Sequence, residues 1–390
     1  MGAKTIGIGL IGVGWMGEVH SRAYVRCRQH FPDCAGVARL VVAADESADR
    51  ARRAADVLGY ESSTTDWRDV LADPSVEAVS ITSPNFLHRE MALAATLAGK
   101  AIWVEKPVGV SPAETAEVAA AAARAGVIST VGLNYRQVPA VRHARDLIAG
   151  GALGEVNHFR FQFLASYASN PNGALSWRFS RDQAGAGIIA DLGSHAFDMV
   201  QMLLGPIARV WATSAILIPR RPVVAAGTGT HFTVVEQPSE LGDVENEDWC
   251  AATVELASGL RGTVELSRVM VGAYARYAFE VNGTAGAVQW NFERMNELQR
   301  FMKDAAGDDG LARVSSGPQH PGFAEFQPGQ GLPMGYDDLK VMEANTFLQS
   351  VAEGVQRAPG LHDMLATAEV LDAVARSAKS GTWEDVRPLT

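Results

Sequence analysis

Six residues near the start constrain this chain more than any others. Gly12-Val13-Gly14-Trp15-Met16-Gly17 places glycine in the pattern G-x-G-x-x-G. The motif follows the apolar run Thr5 to Ile11, which reads as a buried strand. It precedes a helical pattern from about Met16 to Arg28. Each glycine answers a separate need. Gly12 permits a tight turn, Gly14 leaves the backbone bare, and Gly17 lets the helix pack close to the sheet. The N–H groups at the helix start then form an anion site suited to a pyrophosphate. In this strand–turn–helix context the motif implies a dinucleotide-binding α/β domain.

The following residues repeat the pattern. Leu40 to Ala44, Val76 to Ile81, Ala101 to Val104 and Val127 to Leu133 read as strands. Helical stretches lie between them: one capped by Ser47 and ending near Leu58, one from His88 to Ala98, and one opened by Ser111, Pro112 and Glu114. Strands separated by helices pair in parallel, so residues 1–133 are expected to form a Rossmann-type, doubly wound parallel sheet. Asp45 ends the second strand. A carboxylate there can accept from the adenosine ribose and repels a 2′-phosphate, which favours NAD over NADP. Asp45 lies 28 positions after Gly17, against about 20 in the usual pattern. A longer loop from Phe31 to Arg39 is expected to absorb the excess. Arg50 and Arg52 keep NADP as the alternative.

Residues 134–390 read differently. Phe159, Phe161 and Phe163 alternate with His158, Arg160 and Gln162, as in a sheet with one wet face. Trp249 to Leu256 with Leu260 to Val269, and Tyr277 to Val281 with Ala287 to Phe292, read as antiparallel hairpins. A helix is expected from Leu192 to Leu204, mostly helix from Asp338 to Ala378, and a long surface loop over 304–333. The expectation is an α+β domain with a large, open, mostly antiparallel sheet that binds substrate and mediates oligomerisation. A homo-oligomer, dimer or tetramer, follows from the exposed sheet face. The 390 residues suit two hydrophobic cores.

Composition excludes several partners. The net charge is −10 with no basic run, which argues against nucleic acid and acidic membrane surfaces. Cys27, Cys34 and Cys250 show no CxxC spacing, so neither a disulfide framework nor a structural metal is expected, and a reducing cytoplasm is the default. No signal-like segment or membrane-length apolar run is legible.

Two segments carry the chemistry. Glu105-Lys106-Pro107 falls at the C-terminal end of a strand, where α/β sheets bind ligands. Gly185-Ala186-Gly187-Ile188-Ile189-Ala190-Asp191-Leu192-Gly193-Ser194-His195 opens a helix in the second half. His195 suits a general base, since imidazole titrates near neutrality. Asp191, four positions earlier, would share its helix face and could fix its tautomer. Lys106 can donate to a substrate oxygen as negative charge develops. Plainer readings exist: Asp191 as a helix cap and His195 as a core histidine. A metal reading of the pair lacks a third ligand.

With the glycine loop, these segments resemble the Gfo/Idh/MocA family of sugar and polyol dehydrogenases. Ser83-Pro84-Asn85 with His88, and Asn134-Tyr135-Arg136, extend the resemblance over nearly the whole chain. It implies an NAD-dependent oxidoreductase with Lys106, Asp191 and His195 at the reacting centre. It places Gly12, Gly14, Trp15, Met16, Gly17, Asp45, Ser83, Pro84, Asn85, His88, Glu105, Lys106 and Asn134 along the cofactor. Tyr135, Arg136, Trp177 and Arg178 should border the substrate. Aromatic faces and arginines there suit a neutral cyclic polyol. The resemblance implies a ring hydroxyl of a pyranose, a glycoside or an anhydrosugar of the levoglucosan kind, giving a keto sugar. The alternatives are an inositol-type cyclitol dehydrogenase, a redox-assisted glycoside-cleaving enzyme and a non-catalytic dinucleotide sensor.

Overall fold

The computed structural model describes residues 2–225, 232–303, 307 and 309–388. Six parallel strands form the first sheet: β1 (Lys4–Ile11), β2 (Gly36–Ala44), β3 (Ser62–Thr64), β4 (Ala78–Ile81), β5 (Ala101–Val104) and β6 (Ser129–Val131), in the order β3-β2-β1-β4-β5-β6. Order reverses between β1 and β4, which opens a crevice at the C-terminal strand ends. The first helix spans Trp15–His30. The extra residues before Asp45 therefore lengthen this helix and β2, and only five residues connect them. The expected long loop is not formed. β3 and the helix Trp67–Ala72 were not anticipated; both are too short to show a periodicity.

The second sheet has nine strands. From edge to edge these are Leu311–Ser315, Glu297–Met302, Gly286–Asn291, Ala275–Gly283, Val156–Ala165, Arg261–Ser267, Trp249–Leu256, Ile207–Ala215 and Glu384–Asp385. Every neighbouring pair is antiparallel except Val156–Ala165 with Arg261–Ser267. Phe159, Phe161 and Phe163 point into the core, as the alternation requires. The helices Gly193–Leu204 and Leu361–Ser380 pack on that side. The opposite face carries ion pairs such as Arg160–Glu280 and Arg209–Glu255. Leu311–Ser315 lies inside the segment expected to be loop. Residues 304–306 and 308 of that segment lie outside the described residues, and 316–335 is irregular. Among the described residues no helix is long and apolar enough to cross a membrane.

The helix Tyr336–Glu353 departs from the expected domain division. Its Val341, Ala344, Phe347 and Leu348 share one core with Ile6, Ile8 and Leu10 of β1 and Tyr24 and Cys27 of the first helix. A late segment thus covers one face of the early sheet. It also delivers a cation. Lys340 is fully buried, with Nζ 2.6 Å from Glu105 Oε1 and 2.8 Å from Glu343 Oε2. His20 Nε2 lies 2.9 Å from the same Glu105 oxygen, and its ring stacks on Trp103 at 3.7 Å. Burial alone would raise the Glu105 carboxyl, but the Lys340 ammonium and His20 overcome it and hold it well below the usual range. Burial pushes His20 down to about 4, so it is neutral near pH 7.

Removing the Lys340 ammonium leaves buried Glu105 with His20 alone and takes the cation from Glu343. Lys340→Met is expected to cost about 3–5 kcal/mol of unfolding free energy, read from urea midpoints. A loss below about 1 kcal/mol would place the ion pair at the level of a surface bridge.

Candidate functional site

The loop after β1 lies against the loop after β4. Gly12 has φ +96°, and a Cβ there would sit 2.8 Å from Ser83 N. A Cβ on Gly17 would sit 2.1 Å from Gly12 O, so only glycine allows this helix approach. Thr82 Oγ1 donates to Gly12 O at 2.6 Å and joins the two loops. A Cβ on Gly14 would meet nothing within 4 Å, and the helix starting beside it has no side-chain cap. The helix thus presents bare N–H groups into open space, as a pyrophosphate requires. Asn134, at the end of β6, has a buried Nδ2 without a hydrogen-bond partner among the described residues. Bare helix end, open glycine and orphaned amide together fit a dinucleotide.

Other residues shape this cradle. Asp45 Oδ2 accepts the Val13 N–H at 2.8 Å, pinning the glycine loop to the end of β2. Its Oδ1 accepts from Ser47 N and Arg50 Nε, both at 2.9 Å. Pro84 precedes the helix Asn85–Leu97. His88 on that helix lies 2.7 Å from both Pro107 O and Ser83 O, stitching the Ser83 loop to the Lys106-Pro107 turn. That peptide bond is cis. Both His88 nitrogens are thereby engaged by backbone, so the ring supports the cradle from beneath. Glu105 likewise turns away, toward Lys340. Trp15 is 66% exposed and stacks on Tyr336 at 5.5 Å, while Met16 Sδ lies 3.9 Å from the Tyr336 hydroxyl.

Lys106 points the other way. Its Nζ lies 2.8 Å from Asp191 Oδ1 and 2.9 Å from Asp191 O. Tyr167 Oη donates to Asp191 Oδ2 at 2.7 Å, and Arg178 Nη1 lies 3.6 Å from that oxygen. Burial would raise the Asp191 carboxyl, but Lys106 and Arg178 outweigh it and hold it well below the carboxylate range. His195 is set apart from this ion cluster. Burial and the Lys106 ammonium push its pKa well below 6.5. Its ring packs edge-on against Tyr135 at 4.8 Å, and neither ring nitrogen has a hydrogen-bond partner among the described residues. The arrangement offers a neutral base beside an ammonium donor.

Two expectations need correction. Asp191 and His195 do not share one helix: the short helix Gly187–Asp191 ends at the acid, and Gly193–Leu204 begins beyond it. The carboxylate consequently serves Lys106 and Tyr167 and leaves the imidazole alone. Arg136 does not reach toward substrate. Its Nε donates to Asp198 at 2.8 Å and its Nη1 to Asp363 at 2.8 Å, a buried anchor between helices. Phe86 meets Trp177 edge-on at 6.3 Å, and the Arg178 guanidinium covers its ring at 4.6 Å. Tyr167, Tyr336 and Lys340 were missed. Tyr167 follows an alternating strand, and its place just past the strand end was the only hint.

A dinucleotide cradle beside a lysine, an aspartate and a neutral histidine defines an NAD-binding oxidoreductase acting on CH–OH groups. Family models agree: residues 6–133 match the oxidoreductase family NAD-binding Rossmann fold, and residues 141–289 match the GFO/IDH/MocA C-terminal domain. The chain belongs to the Gfo/Idh/MocA oxidoreductases. It is 35% identical to a levoglucosan dehydrogenase of Pseudarthrobacter phenanthrenivorans, over 99% of this chain and 100% of that protein. An inositol 2-dehydrogenase of Rhizobium meliloti is 27% identical over 96% and 97% of the two chains. A solved levoglucosan dehydrogenase in complex with NADH and levoglucosan superposes with a TM-score of 0.92 at 35% identity, covering 98% of this chain and all of that one.

Lys106→Ala is expected to leave NADH binding, followed by fluorescence titration, within about twofold, and to lower kcat about 10²–10³-fold, as loss of an oxyanion donor does. Turnover near the wild-type rate would remove Lys106 from the reacting centre.

Proposed function

We propose that this enzyme oxidises a ring hydroxyl of a pyranose or anhydrosugar with NAD, levoglucosan being the leading candidate. The observation that carries the reading is the neutral, unpartnered His195 close to the Lys106 ammonium. Bound NAD would supply the hydride acceptor, held by the glycine loop, Asp45 and Asn134. Lys106 donates to the reacting hydroxyl oxygen and stabilises negative charge as it develops. His195 takes the hydroxyl proton. Asp191 is a poor acceptor for that proton, because Lys106 and Arg178 hold its carboxyl well below the usual range; it positions Lys106. Trp177 offers an apolar face for ring C–H groups, and Arg178 a donor for neighbouring hydroxyls. The similarity to a levoglucosan dehydrogenase along the full chain supports the same substrate class. A cyclitol is the second reading, favoured by the full-length inositol 2-dehydrogenase relative.

The finer setting belongs to the same reading. Three unpaired cysteines suit a reducing cytoplasm. Among the described residues no helix packs on the sheet face bearing Arg160 and Glu280, which suits a homo-oligomer, dimer or tetramer. Light scattering is expected to give a multiple of 41.5 kDa; a 41.5 kDa particle at micromolar concentration would refute the oligomer.

Purified enzyme with levoglucosan, glucose, xylose, myo-inositol and simple glycosides should form net NADH with the anhydrosugar or a pyranose. Glycoside breakdown without net NADH would transfer the reading to redox-assisted cleavage. The pH profile tests the base. The folded His195 pKa is lowered, so the required neutral form prevails above it. Oxidation kcat/KM should therefore fall only as pH drops below about 6.5, the unperturbed value. His195→Asn should lower kcat about 10²–10⁴-fold and abolish that limb. An acid limb centred above pH 7 contradicts the assignment.

A further inference from the structure

Arg178 reaches Asp191 from a segment with little regular structure of its own. Trp177–Phe179 is a single 3-10 turn, and the helix Arg181–Ala184 that follows has four residues. Pieces this short do not hold their own shape. What holds them lies 68 positions further along the chain. Asn246 Nδ2 donates to Arg178 O at 3.0 Å and to Gly185 O at 3.4 Å, so one amide ties both ends of the segment together. Its Oδ1 accepts from Arg268 Nη2 at 2.9 Å. A guanidinium only donates and a carbonyl only accepts, so the amide has one orientation, and a flipped one would lose all three bonds.

A buried ion pair fixes Asn246 in turn. Trp249 pairs with Ser267 in antiparallel register, which sets Asp248 and Arg268 opposite each other just beyond the strand ends. Arg268 Nε donates to Asp248 Oδ1 at 2.7 Å, and both side chains are buried. Asp248 Oδ2 accepts the N–H groups of Leu217 and Ile218, and the Arg268 guanidinium lies over the Phe179 ring at 4.5 Å. Glu247 serves the helix that ends at Asp191: its backbone oxygen accepts from Ile188 N and its Oε1 from Ile189 N, both at 3.1 Å. Arg178 and Asp191 thus hang by separate bonds from consecutive residues of one buried strap. We propose that Asn246 is a positioning residue for Arg178, holding its guanidinium at Asp191 and available to the hydroxyls beside the reacting one. The role rests on the sugar-oxidising reading above. Asn246 is fully buried and meets no substrate itself. Its loss should act on uniform binding of the sugar, which appears in KM, and spare the steps of Lys106 and His195, which appear in kcat.

Asn246→Ala, Arg178→Ala and the double variant are compared with the sugar that wild type oxidises fastest. Asn246→Ala should lower kcat/KM about ten- to a hundredfold, mostly through KM, with NADH affinity held within about twofold. The double variant should lose no more than Arg178→Ala alone, because both changes remove one contact. Losses that multiply would show a general loosening and overturn the proposal, as would an unchanged KM. Asn246→Asp keeps the volume and the Arg268 partner but turns an acceptor toward both carbonyls. It should lose at least as much, and it carries the test if the alanine variant does not fold. Crystal structures of the variants give a readout that needs no substrate: Arg178 Nη1 should leave Asp191 Oδ2, and its retention at 3.6 Å overturns the proposal. Wild type that forms NADH with no sugar would instead overturn the sugar-oxidising reading, and the structures would still decide the role of Asn246.

Discussion

The buried pair between Lys340 and Glu105 fixes the strand end from which the chemistry is built. Glu105 and Lys106 are consecutive, and they face opposite ways. An ionised carboxylate in an apolar interior is costly unless a cation meets it. Here the cation comes from a helix 235 positions later in the chain. Gly132 adds a steric condition, because a Cβ there would sit 2.3 Å from Glu105 Oε1. Glu105 is held from behind, and Lys106 turns toward Asp191. The late helix therefore acts on Lys106 through Glu105, while its first residue, Tyr336, stacks on Trp15 of the glycine loop.

Charge is distributed around that lysine so as to separate two jobs. Asp191 gathers Lys106, Arg178 and Tyr167, and stays an anion. Had its carboxylate bonded to His195, it would have stabilised the imidazolium and raised the ring's pKa. The break between the Gly187–Asp191 and Gly193–Leu204 helices keeps the two apart. Burial and the nearby ammonium then favour the uncharged imidazole.

The sequence made legible whatever a local backbone or a strand end demands. The glycine loop, the Glu105-Lys106-Pro107 turn and the segment ending at His195 each need particular residues where they stand, and the α/β alternation follows from periodicity. Partnerships across the chain were not legible. Nothing near Arg136 announces Asp198 or Asp363, and nothing near Asp191 announces Tyr167. The count of residues between Gly17 and Asp45 likewise does not say whether a loop, a helix or a strand grows. Packing decided that: the first helix runs on to His30, and β2 begins at Gly36 to pair along β1.

The junction after β6 shows how one short turn serves three regions. Asn134–Gln137 is a 3-10 helix. Such a turn has about three residues per revolution, so successive side chains point about 120° apart. Asn134 buries its side-chain amide near Tyr336. Tyr135 packs edge-on against His195, Tyr277 and Phe292. Arg136 locks onto Asp198 and Asp363. Rotating the turn by one residue would send the arginine toward the imidazole, where a second cation would oppose protonation of the base, and would leave Asp198 buried without its partner. Arg136 therefore sets the phase of the turn. The orientation of Tyr135 against His195, and the placing of Asn134 before it, follow from an ion pair that touches neither.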